Sequence, residues 1–317
     1  MEVHKKREDR SITELEETTV IRKSVLVALL RSLRLHQWTK NLLIFIPLVL
    51  AGKSQEISAW TASAMGFLAL GVLTSSTYIL NDLWDLPSDR DHWSKRERPL
   101  ARGDLPISVA LAVAPIGILM SFAIAASIDR GAILMLLIYA VLTFSYTLRL
   151  KQVPILDVLI LATLFTFRLV FGIHLADVRP SPWLLVFSMF LFMSLSLAKR
   201  YTEVGRNGAL GRERIVGRGY VTKDGPLLFG LGLSTAAGAV LIMILYLIEE
   251  AFGASFYSSP ALLWFMPAIL LLWLGRIWLL AGRDELDDDP LWFAVSDKIN
   301  LILGVAMVIV FLSAWQL

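Results

Sequence analysis

Cysteine is missing from this chain altogether, and charged residues are scarce. The 317 residues include no cysteine, and only 18% of them are charged. Without cysteine the chain can form no disulfide, no reactive thiolate and no cysteine-ligated metal site. A soluble chain of this length would carry a richer charged surface. These two absences exclude cysteine-based chemistry and argue against a soluble protein.

Hydrophobic residues are abundant instead, at 56% of the chain with a mean hydropathy of +0.65. Uncharged runs of about 20 residues, the length that crosses a bilayer, recur along the sequence. Only helices and closed barrels satisfy their backbone in lipid, and the alternating pattern of barrel strands is absent. The chain is therefore predicted to be an all-α polytopic membrane protein. The predicted spans are nine: 41–52, 60–80, 106–128, 131–148, 153–175, 182–198, 226–248, 258–281 and 298–316.

Lysine and arginine are distributed unevenly between alternate connections. Of the 30 basic residues, 25 lie in the arm up to residue 40 and in segments 81–105, 149–152, 199–225 and 282–298. The connections on the other side carry three. Because cytoplasmic loops are enriched in Lys and Arg, this split predicts a cytoplasmic N-terminus and an odd number of spans. The protein is expected in the cytoplasmic (inner) membrane, with its basic loops and active site facing the cytoplasm.

The N-terminal arm lacks the apolar core of a signal peptide. Residues 1–30 are expected to form a disordered or interfacial cytosolic arm, and residues 31–317 the transmembrane domain. No feature of the sequence indicates nucleic-acid binding, and self-association of the chain is left open.

A dense group of acids follows the second predicted span, in the stretch NDLWDLPSD. If the helix continues past Leu80, Asn81, Asp85 and Asp89 follow the i, i+4, i+8 row. Asp82 lies about 100° around from Asn81, so all four side chains share one broad face. Carboxylates so close repel one another unless a cation holds them, and oxygen ligands favour Mg²⁺ with substrate phosphates. A solvated loop is the alternative.

Two further features bear on this site. Pro87 is expected to end or kink the helix, which leaves Asp89 in a separate segment. Lys95, Arg96 and Arg98 follow within ten residues of Asp89 and can hold phosphates.

Two other predicted cytoplasmic segments carry candidate residues. Asp157 lies about one turn into the fifth span and shares a helix face with Arg168; the two either tie helices together or serve the substrate. The sixth span ends in AKRYTEV. The acids between Asp284 and Asp289 are interpreted as a solvated loop, and whether Asp289 or Asp297 joins the site is left open.

The nine predicted helices and the stretch NDLWDLPSDRDHWSKRERPLA resemble the UbiA superfamily of intramembrane prenyltransferases over roughly residues 31–317. The first aspartate-rich motif of that family, N-D-x-x-D-x-x-x-D, matches Asn81, Asp82, Asp85 and Asp89 without a gap. The resemblance implies a helix bundle with a cytoplasm-facing central cavity. It also implies that these residues bind Mg²⁺ and a diphosphate.

The second aspartate-rich motif of the aromatic prenyltransferases is absent from 199–225, where this chain reads AKRYTEV. In the absence of this second motif, the chain is similar to the decaprenyl-phosphate phosphoribosyltransferase branch. The segments LRLHQWTKN and SYTLRLKQVPILD are also similar to that branch. That branch transfers 5-phosphoribose from phosphoribosyl pyrophosphate to a polyprenyl phosphate. The product feeds a lipid-linked arabinose donor for cell-envelope synthesis. A second acidic motif would repel the acceptor phosphate, whereas Lys199 and Arg200 would attract it.

The resemblance and the loops together give the expected roles. Asp82, Asp85, Asp89 and Lys199 are predicted catalytic residues, and Mg²⁺ is the predicted cofactor. The predicted substrate-binding residues are Lys40, Asn81, Lys95, Arg96, Arg98, Tyr146, Lys151, Asp157, Arg168, Arg200, Tyr201 and Glu203. The alternatives are a prenyltransferase that moves a prenyl chain from a diphosphate to an aromatic or other acceptor, and a transporter or ion channel with a cation-binding loop.

Overall fold

A computed structural model describes residues 24–91, 95–215, 217–286, 293 and 297–315. Within these residues all regular structure is helical, apart from two isolated β-bridges. The predicted all-α class is therefore confirmed. The α-helices are α1 (24–32), α2 (Ile46–Leu50), α3 (Ile57–Trp84), α4 (Leu86–Arg90), α5 (Pro99–Arg102), α6 (Ile107–Ala126), α7 (Arg130–Leu148), α8 (Leu156–Leu175), α9 (Pro182–Ala209), α10 (Gly225–Tyr246), α11 (Phe265–Gly282) and α12 (Lys298–Ala314).

Seven of the described helical segments are long and apolar enough to cross a membrane. Two of the nine predicted spans fall short of that length. The first is a 3₁₀ segment, Leu35–Phe45, followed by the five-residue helix α2, which has proline in its first turn. Proline breaks a longer helix at this position because it lacks an N–H donor. The last, α12, is apolar but has 17 residues. The predicted total of nine is thus not reached among the described helices.

The chain forms two compact units. The first contains residues up to Leu42 and Thr61–Ala140, and the second contains Leu43–Trp60 and Val141–Leu317. The three unit boundaries fall inside the 3₁₀ segment, helix α3 and helix α7. The predicted division at residue 30 and the predicted central cavity stay predictions.

In the first unit, α6 packs on α3 through a stripe of small residues. Ala110, Ala114, Gly117, Ser121 and Ala125 recur at helical spacing and are all buried. Ser121 donates to the carbonyl of Ala69 at 2.7 Å. A Cβ at Gly117 would clash with Ser76 Oγ. Small residues allow two helix backbones to approach closely, which is the usual basis of helix packing in lipid.

In the second unit, α9 is the central helix and packs against α8, α10 and α11. Gly232 of α10 leaves room for the ring of Trp278 of α11. Trp278 donates to Ser194 of α9 at 2.9 Å, and Ser194 donates to the carbonyl of Gly232 at 3.0 Å. These bonds satisfy buried polar groups and fix the three helices against one another.

The outer faces of the long helices are apolar. Leu119, Leu272 and Ile302 are among the large hydrophobic side chains left exposed, each by more than 60%. Together with the apolar helices this identifies a multi-pass membrane protein, since such faces are stable only against lipid.

Candidate functional site

The first aspartate-rich motif lies where α3 ends. The helix continues past Leu80 to Trp84, as predicted, and the chain then breaks at Asp85 before the short helix α4. Pro87 lies in the first turn of α4, so Asp89 belongs to a second helix rather than to α3. The expected interruption by proline is confirmed.

The carboxylates of Asp82 and Asp89 are buried and joined by arginines. Arg34 donates through Nη2 to both oxygens of Asp82, at 2.6 and 2.8 Å. Arg98 bridges the two acids, with Nη1 at 3.0 Å from Asp82 and 2.6 Å from Asp89. The acids are 2% and 1% exposed, whereas the arginine side chains are 21% and 24% exposed. We call these four residues the aspartate cluster.

Sequence reasoning did not find Arg34. This residue has a positive φ of 50° between α1 and the 3₁₀ segment. Ser75 of α3 holds this turn, because it donates to the carbonyl of Leu33 at 2.7 Å and accepts from Trp38 Nε1 at 2.9 Å. A positive φ is uncommon for a residue other than glycine. That geometry is not visible in the sequence, although Arg34 lies within the segment LRLHQWTKN quoted above.

The fit of this cluster to a divalent cation can be judged from its oxygen atoms. Asp89 Oδ1 is buried and has no hydrogen-bond partner in the part of the chain described. Burial raises the pKa of Asp89, against the opposing charges of Arg98 and Lys95. No group of three or more His, Asp or Glu residues is placed to hold a metal within the described ranges. The donor chemistry suits Mg²⁺, but guanidinium groups here neutralise Asp82.

The other residues predicted for this region are spread around the cluster. Asn81 and Asp85 are half-buried, and so are Lys40 and Lys95. Arg96 is exposed and lies 3.6 Å from its neighbour Glu97. The positive charge of Lys95 opposes the rise in the pKa of Asp89.

A second charged cluster lies in the second unit, where α9 meets the start of α8. Arg200 is almost fully buried and uses three nitrogens: Nε donates to Asp157 at 2.6 Å, Nη1 to Glu203 at 2.5 Å and Nη2 to the hydroxyl of Tyr146 at 3.2 Å. Asp157 is fully buried. The structure thus brings together four of the predicted substrate-binding residues. We call this set the arginine cluster.

Tyr220, which the sequence did not single out, completes the arginine cluster. Its hydroxyl donates to Asp157 and accepts from the backbone N–H of Ile155 at 2.8 Å. Burial and the bond to Asp157 raise the pKa of Tyr220, so the hydroxyl stays protonated. Ile155 has a φ of 67°, a strained conformation for a β-branched residue. Tyr220 therefore fixes both Asp157 and the turn before it.

Arg218 is the third residue that sequence reasoning left without a role. Its Nη1 donates to the Tyr146 hydroxyl at 2.8 Å, and its guanidinium lies 5.8 Å from the Tyr146 ring centre. Lys199 and Arg218 both act on the charge of Glu203. The group then has three cations (Lys199, Arg200, Arg218) against the two carboxylates of Asp157 and Glu203. The net charge of these five residues together is therefore positive.

Three further predicted residues have their own positions in the second unit. Asp157 and Arg168 do not form a pair: eleven residues separate them on α8, about 16 Å of helix rise, and Asp157 is held by Arg200 and Tyr220. Arg168 donates to the carbonyl of Leu164. The ring of Tyr201 packs against Phe229 and Trp278. Lys151 is half-buried in the short 3₁₀ turn before α8.

The late acidic segment is described only in part. Asp289 lies outside the described residues. Asp297 caps α12 by accepting from the N–H groups of Ile299 and Asn300, and it pairs with Arg276 at 3.2 Å. These contacts give Asp297 a structural role at the helix N-terminus.

Most of the chain matches one family model. Residues 42–302 match the UbiA prenyltransferase family. The chain belongs to this family. Its fold agrees: a UbiA homolog from Archaeoglobus fulgidus, solved with GPP and Mg²⁺ bound, superposes with a TM-score of 0.66 over 90% of this chain and 98% of that one, at 16% identity. The expected family and fold are confirmed.

Among curated relatives, this UbiA-family chain is 40% identical over 285 residues to the uncharacterized protein y4nM of Sinorhizobium fredii. The match covers 90% of this chain but 55% of that protein. The nodulation protein NoeC of Azorhizobium caulinodans is 29% identical, covering 88% of this chain and 91% of NoeC. The decaprenyl-phosphate phosphoribosyltransferase of Corynebacterium glutamicum is 28% identical, covering 90% and 86%. The family is that of a transferase, and these relatives do not share one described reaction.

Proposed function

We propose that this protein transfers 5-phosphoribose from phosphoribosyl pyrophosphate to a polyprenyl phosphate and releases pyrophosphate. The observation that carries the proposal is the positive excess of the arginine cluster together with its neighbours Lys199 and Arg218, which suits an anionic acceptor. Prenyl transfer to a neutral acceptor would not need it. The named activity of the relative from Corynebacterium glutamicum gives independent support. The product would supply a lipid-linked pentose, such as arabinose, for the cell envelope.

Tyr146 and Arg218 are the residues best suited to hold the acceptor phosphate. All three nitrogens of Arg200 are engaged within the cluster, so this residue serves to position the others. Tyr146 accepts from Arg200 and Arg218, and its own hydroxyl hydrogen has no acceptor among the described residues. That hydrogen and the remaining Arg218 donors are free for phosphate oxygens. Lys199 adds a cation beside them.

The donor pyrophosphate is assigned to the aspartate cluster. Asn81, Asp82, Asp85 and Asp89 would hold Mg²⁺ together with the donor. When bound, Mg²⁺ would neutralise the charge that builds up on the leaving pyrophosphate. Arg34 and Arg98 are partly exposed, so they can leave the carboxylates and contact the pyrophosphate while remaining close to water. Lys40, Lys95, Arg96 and Lys151 are the remaining proposed phosphate contacts.

The reaction exchanges one bond to the ribose C1 atom for another. The C1–O bond to pyrophosphate breaks, and its electron pair leaves with pyrophosphate. A phosphate oxygen of the polyprenyl phosphate supplies the pair for the new C1–O bond. Because that nucleophile is already an anion, no general base is needed. The residues around it bind, orient and exclude water.

The test is transfer of label from ribose-labelled phosphoribosyl pyrophosphate into a chloroform-soluble lipid by the purified protein with Mg²⁺ and polyprenyl phosphate. We expect labelled lipid to appear with pyrophosphate in equal amounts. The Asp82→Asn variant is the negative control. Uptake of intact donor into vesicles without lipid labelling would point to transport.

The second candidate is prenyl transfer from a prenyl diphosphate to another acceptor. The superposition on a homologue solved with GPP and Mg²⁺ favours it. A protein that joins a prenyl diphosphate to an aromatic acid and ignores the ribosyl donor would establish this reaction and reject phosphoribosyl transfer.

The proposed orientation has the arginine cluster at the cytoplasmic face. It is tested by single cysteines, which are unambiguous labels because the chain has none. In intact cells, an impermeant thiol reagent should label a cysteine at Asp177 and not one at Asn207. Labelling of Asn207→Cys, with Asp177→Cys protected, would reverse the orientation.

A further inference from the structure

A cavity lies at the far end of α8 from the arginine cluster. It has a volume of about 180 Å³ and is lined by the end of α8 at Ile173, the start of α9 and the segment after α10. Sixteen residues of α8 separate Asp157 from Ile173, which corresponds to about 24 Å of helix rise. The cavity is therefore separate from the site described above, and its role does not depend on the proposed reaction.

An aromatic cluster marks the level of the cavity in the membrane. The ring of Phe256 contacts those of Tyr257 and Trp315 at tilted angles, and Phe252 lies edge-on to Trp264. Aromatic residues gather where membrane helices reach the lipid headgroups. The helices α8 and α10 also end here. The cavity thus opens at headgroup level rather than in the hydrocarbon core.

Two opposite charges face this cavity without meeting. Arg179 and Glu250 both line it, yet they form no ion pair, and neither side chain has a hydrogen-bond partner within the described ranges. Glu250 lies in a π-helical turn, Leu247–Ala251, in which the N–H of Phe252 donates to the carbonyl of Leu247 at 2.9 Å. Such turns are rare and occur frequently at functional sites. An acid and a base on one cavity are complementary to a zwitterion.

The neutral lining fits the same kind of ligand. Tyr246 and Tyr257 line the cavity beside Glu250, and apolar residues including Ile173 and Phe256 cover the rest. Burial raises the pKa of Tyr257 to about 12, so its hydroxyl remains a donor at neutral pH. The volume equals that of roughly six water molecules, which suits a headgroup and leaves acyl chains outside.

We propose that this cavity binds a phosphate–ammonium zwitterion, the headgroup chemistry of phosphatidylethanolamine. Arg179 and the Tyr257 hydroxyl contact the phosphate. The Glu250 carboxylate pairs with the ammonium, and the Tyr246 ring packs beside it. Charge-assisted bonds of this kind give the site its preference for a zwitterion over an anion.

The experiment is a titration of the detergent-purified chain with short-chain lipids, followed by native mass spectrometry. Dihexanoyl phosphatidylethanolamine should bind saturably and at least about tenfold more tightly than dihexanoyl phosphatidylglycerol, which lacks the ammonium. Glu250→Gln should weaken phosphatidylethanolamine binding about tenfold and leave phosphatidylglycerol unchanged. Arg179→Gln should weaken both lipids, because both carry the phosphate.

Matched controls are Glu249→Gln, next to Glu250 but outside the cavity, and Arg130→Gln, an exposed arginine elsewhere. Both should bind like the wild type. Free phosphoethanolamine separates the sources: equal affinity assigns the zwitterion to a soluble ligand, and at least tenfold weaker binding assigns it to the lipid. Equal binding of the two lipids by the wild type, or unchanged phosphatidylethanolamine binding by Glu250→Gln, overturns the proposal.

Discussion

The two charged clusters have opposite arrangements of charge. In the aspartate cluster the carboxylates are buried, and the arginines Arg34 and Arg98 reach them from partly exposed positions. In the arginine cluster the guanidinium of Arg200 and the carboxylate of Asp157 are both buried, and the carboxylate of Glu203 is 29% exposed. One cluster thus keeps its cations at the water boundary, and the other keeps a cation at its centre.

This difference separates an exchangeable site from a permanent one. A partly exposed arginine can return to water at little cost, so a different cation can replace it. If a buried arginine separates from its carboxylate, unpaired charge remains in the interior, which costs several kcal/mol. We therefore expect the aspartate cluster to change its partners during the reaction and the arginine cluster to remain assembled. Substitution of Asp82 in the aspartate cluster should therefore change mainly activity, and substitution of Arg200 in the arginine cluster should change mainly stability.

The largest effect is expected on stability, from Arg200→Met. This variant keeps an unbranched side chain but leaves the fully buried Asp157 without its cation. Breaking a buried pair in this way should lower the free energy of unfolding by about 3–5 kcal/mol. Thermal or denaturant unfolding in detergent measures the change.

The double variant Arg200→Met with Asp157→Asn is the control for that experiment. It removes both charges and should recover part of the lost stability, because no isolated charge stays buried. Two single variants that are each as stable as the wild type would show that the arginine cluster does not hold α8 against α9.

The next effect is on activity, from Asp82→Asn. The variant loses a carboxylate but no buried cation, since Arg34 can turn to water. Activity should fall about a hundredfold or more, as when one group that stabilises transition-state charge is removed. Stability should change much less than in Arg200→Met. Label transfer and unfolding are measured on the same preparation.

Glu97→Gln is the matched control, because Glu97 is an exposed acid of the same loop and, among the described residues, pairs only with the exposed side chains of Arg96 and Arg102. It should keep wild-type activity. Removal of divalent cations with EDTA should inactivate the wild type reversibly. Full turnover in excess EDTA would rule out a metal on the aspartate cluster.

The sequence revealed those features that depend on local order. The end of α3 and the break at Pro87 follow from helix periodicity and proline chemistry, and both were predicted. Arg34 and Tyr220 were missed, because their partners lie 48 and 63 positions away in the chain. The sequence left two roles open for Asp157 and Arg168, and the pairing of the two residues does not occur. The helical repeat shows which residues share a face of one helix, but it does not show which residue of another helix lies opposite them. Packing of α9 on α8 brings Arg200 to Asp157.

A smaller effect, on substrate affinity, is expected from Arg218→Ala. The only side-chain hydrogen bond of Arg218 among the described residues is to Tyr146, so its loss leaves Asp157 and Arg200 paired. The KM for polyprenyl phosphate should rise about ten- to hundredfold, which corresponds to about 1.5–3 kcal/mol for a charge-assisted bond. The KM for phosphoribosyl pyrophosphate should stay within about twofold. Steady-state label transfer with each substrate varied in turn measures both constants.

Arg214→Ala removes an exposed arginine of the same loop and serves as the comparison for Arg218→Ala. It should leave both KM values close to those of the wild type. Equal increases in the two variants would indicate a general effect of loop charge. An increase confined to the ribosyl donor would assign Arg218 to the other substrate.

The smallest effect is expected from Tyr220→Phe. The substitution keeps the buried ring and removes the hydroxyl that joins Asp157 to the Ile155 N–H. Loss of these two bonds should lower the free energy of unfolding by about 1–2 kcal/mol. Tyr257→Phe, whose hydroxyl has no partner among the described residues, should change stability less in lipid-free detergent. Because Tyr220 acts by fixing the turn at Ile155, the KM for polyprenyl phosphate should rise less than in Arg218→Ala. An increase as large as that of Arg218→Ala, with unchanged stability, would instead mean that Tyr220 contacts the phosphate itself.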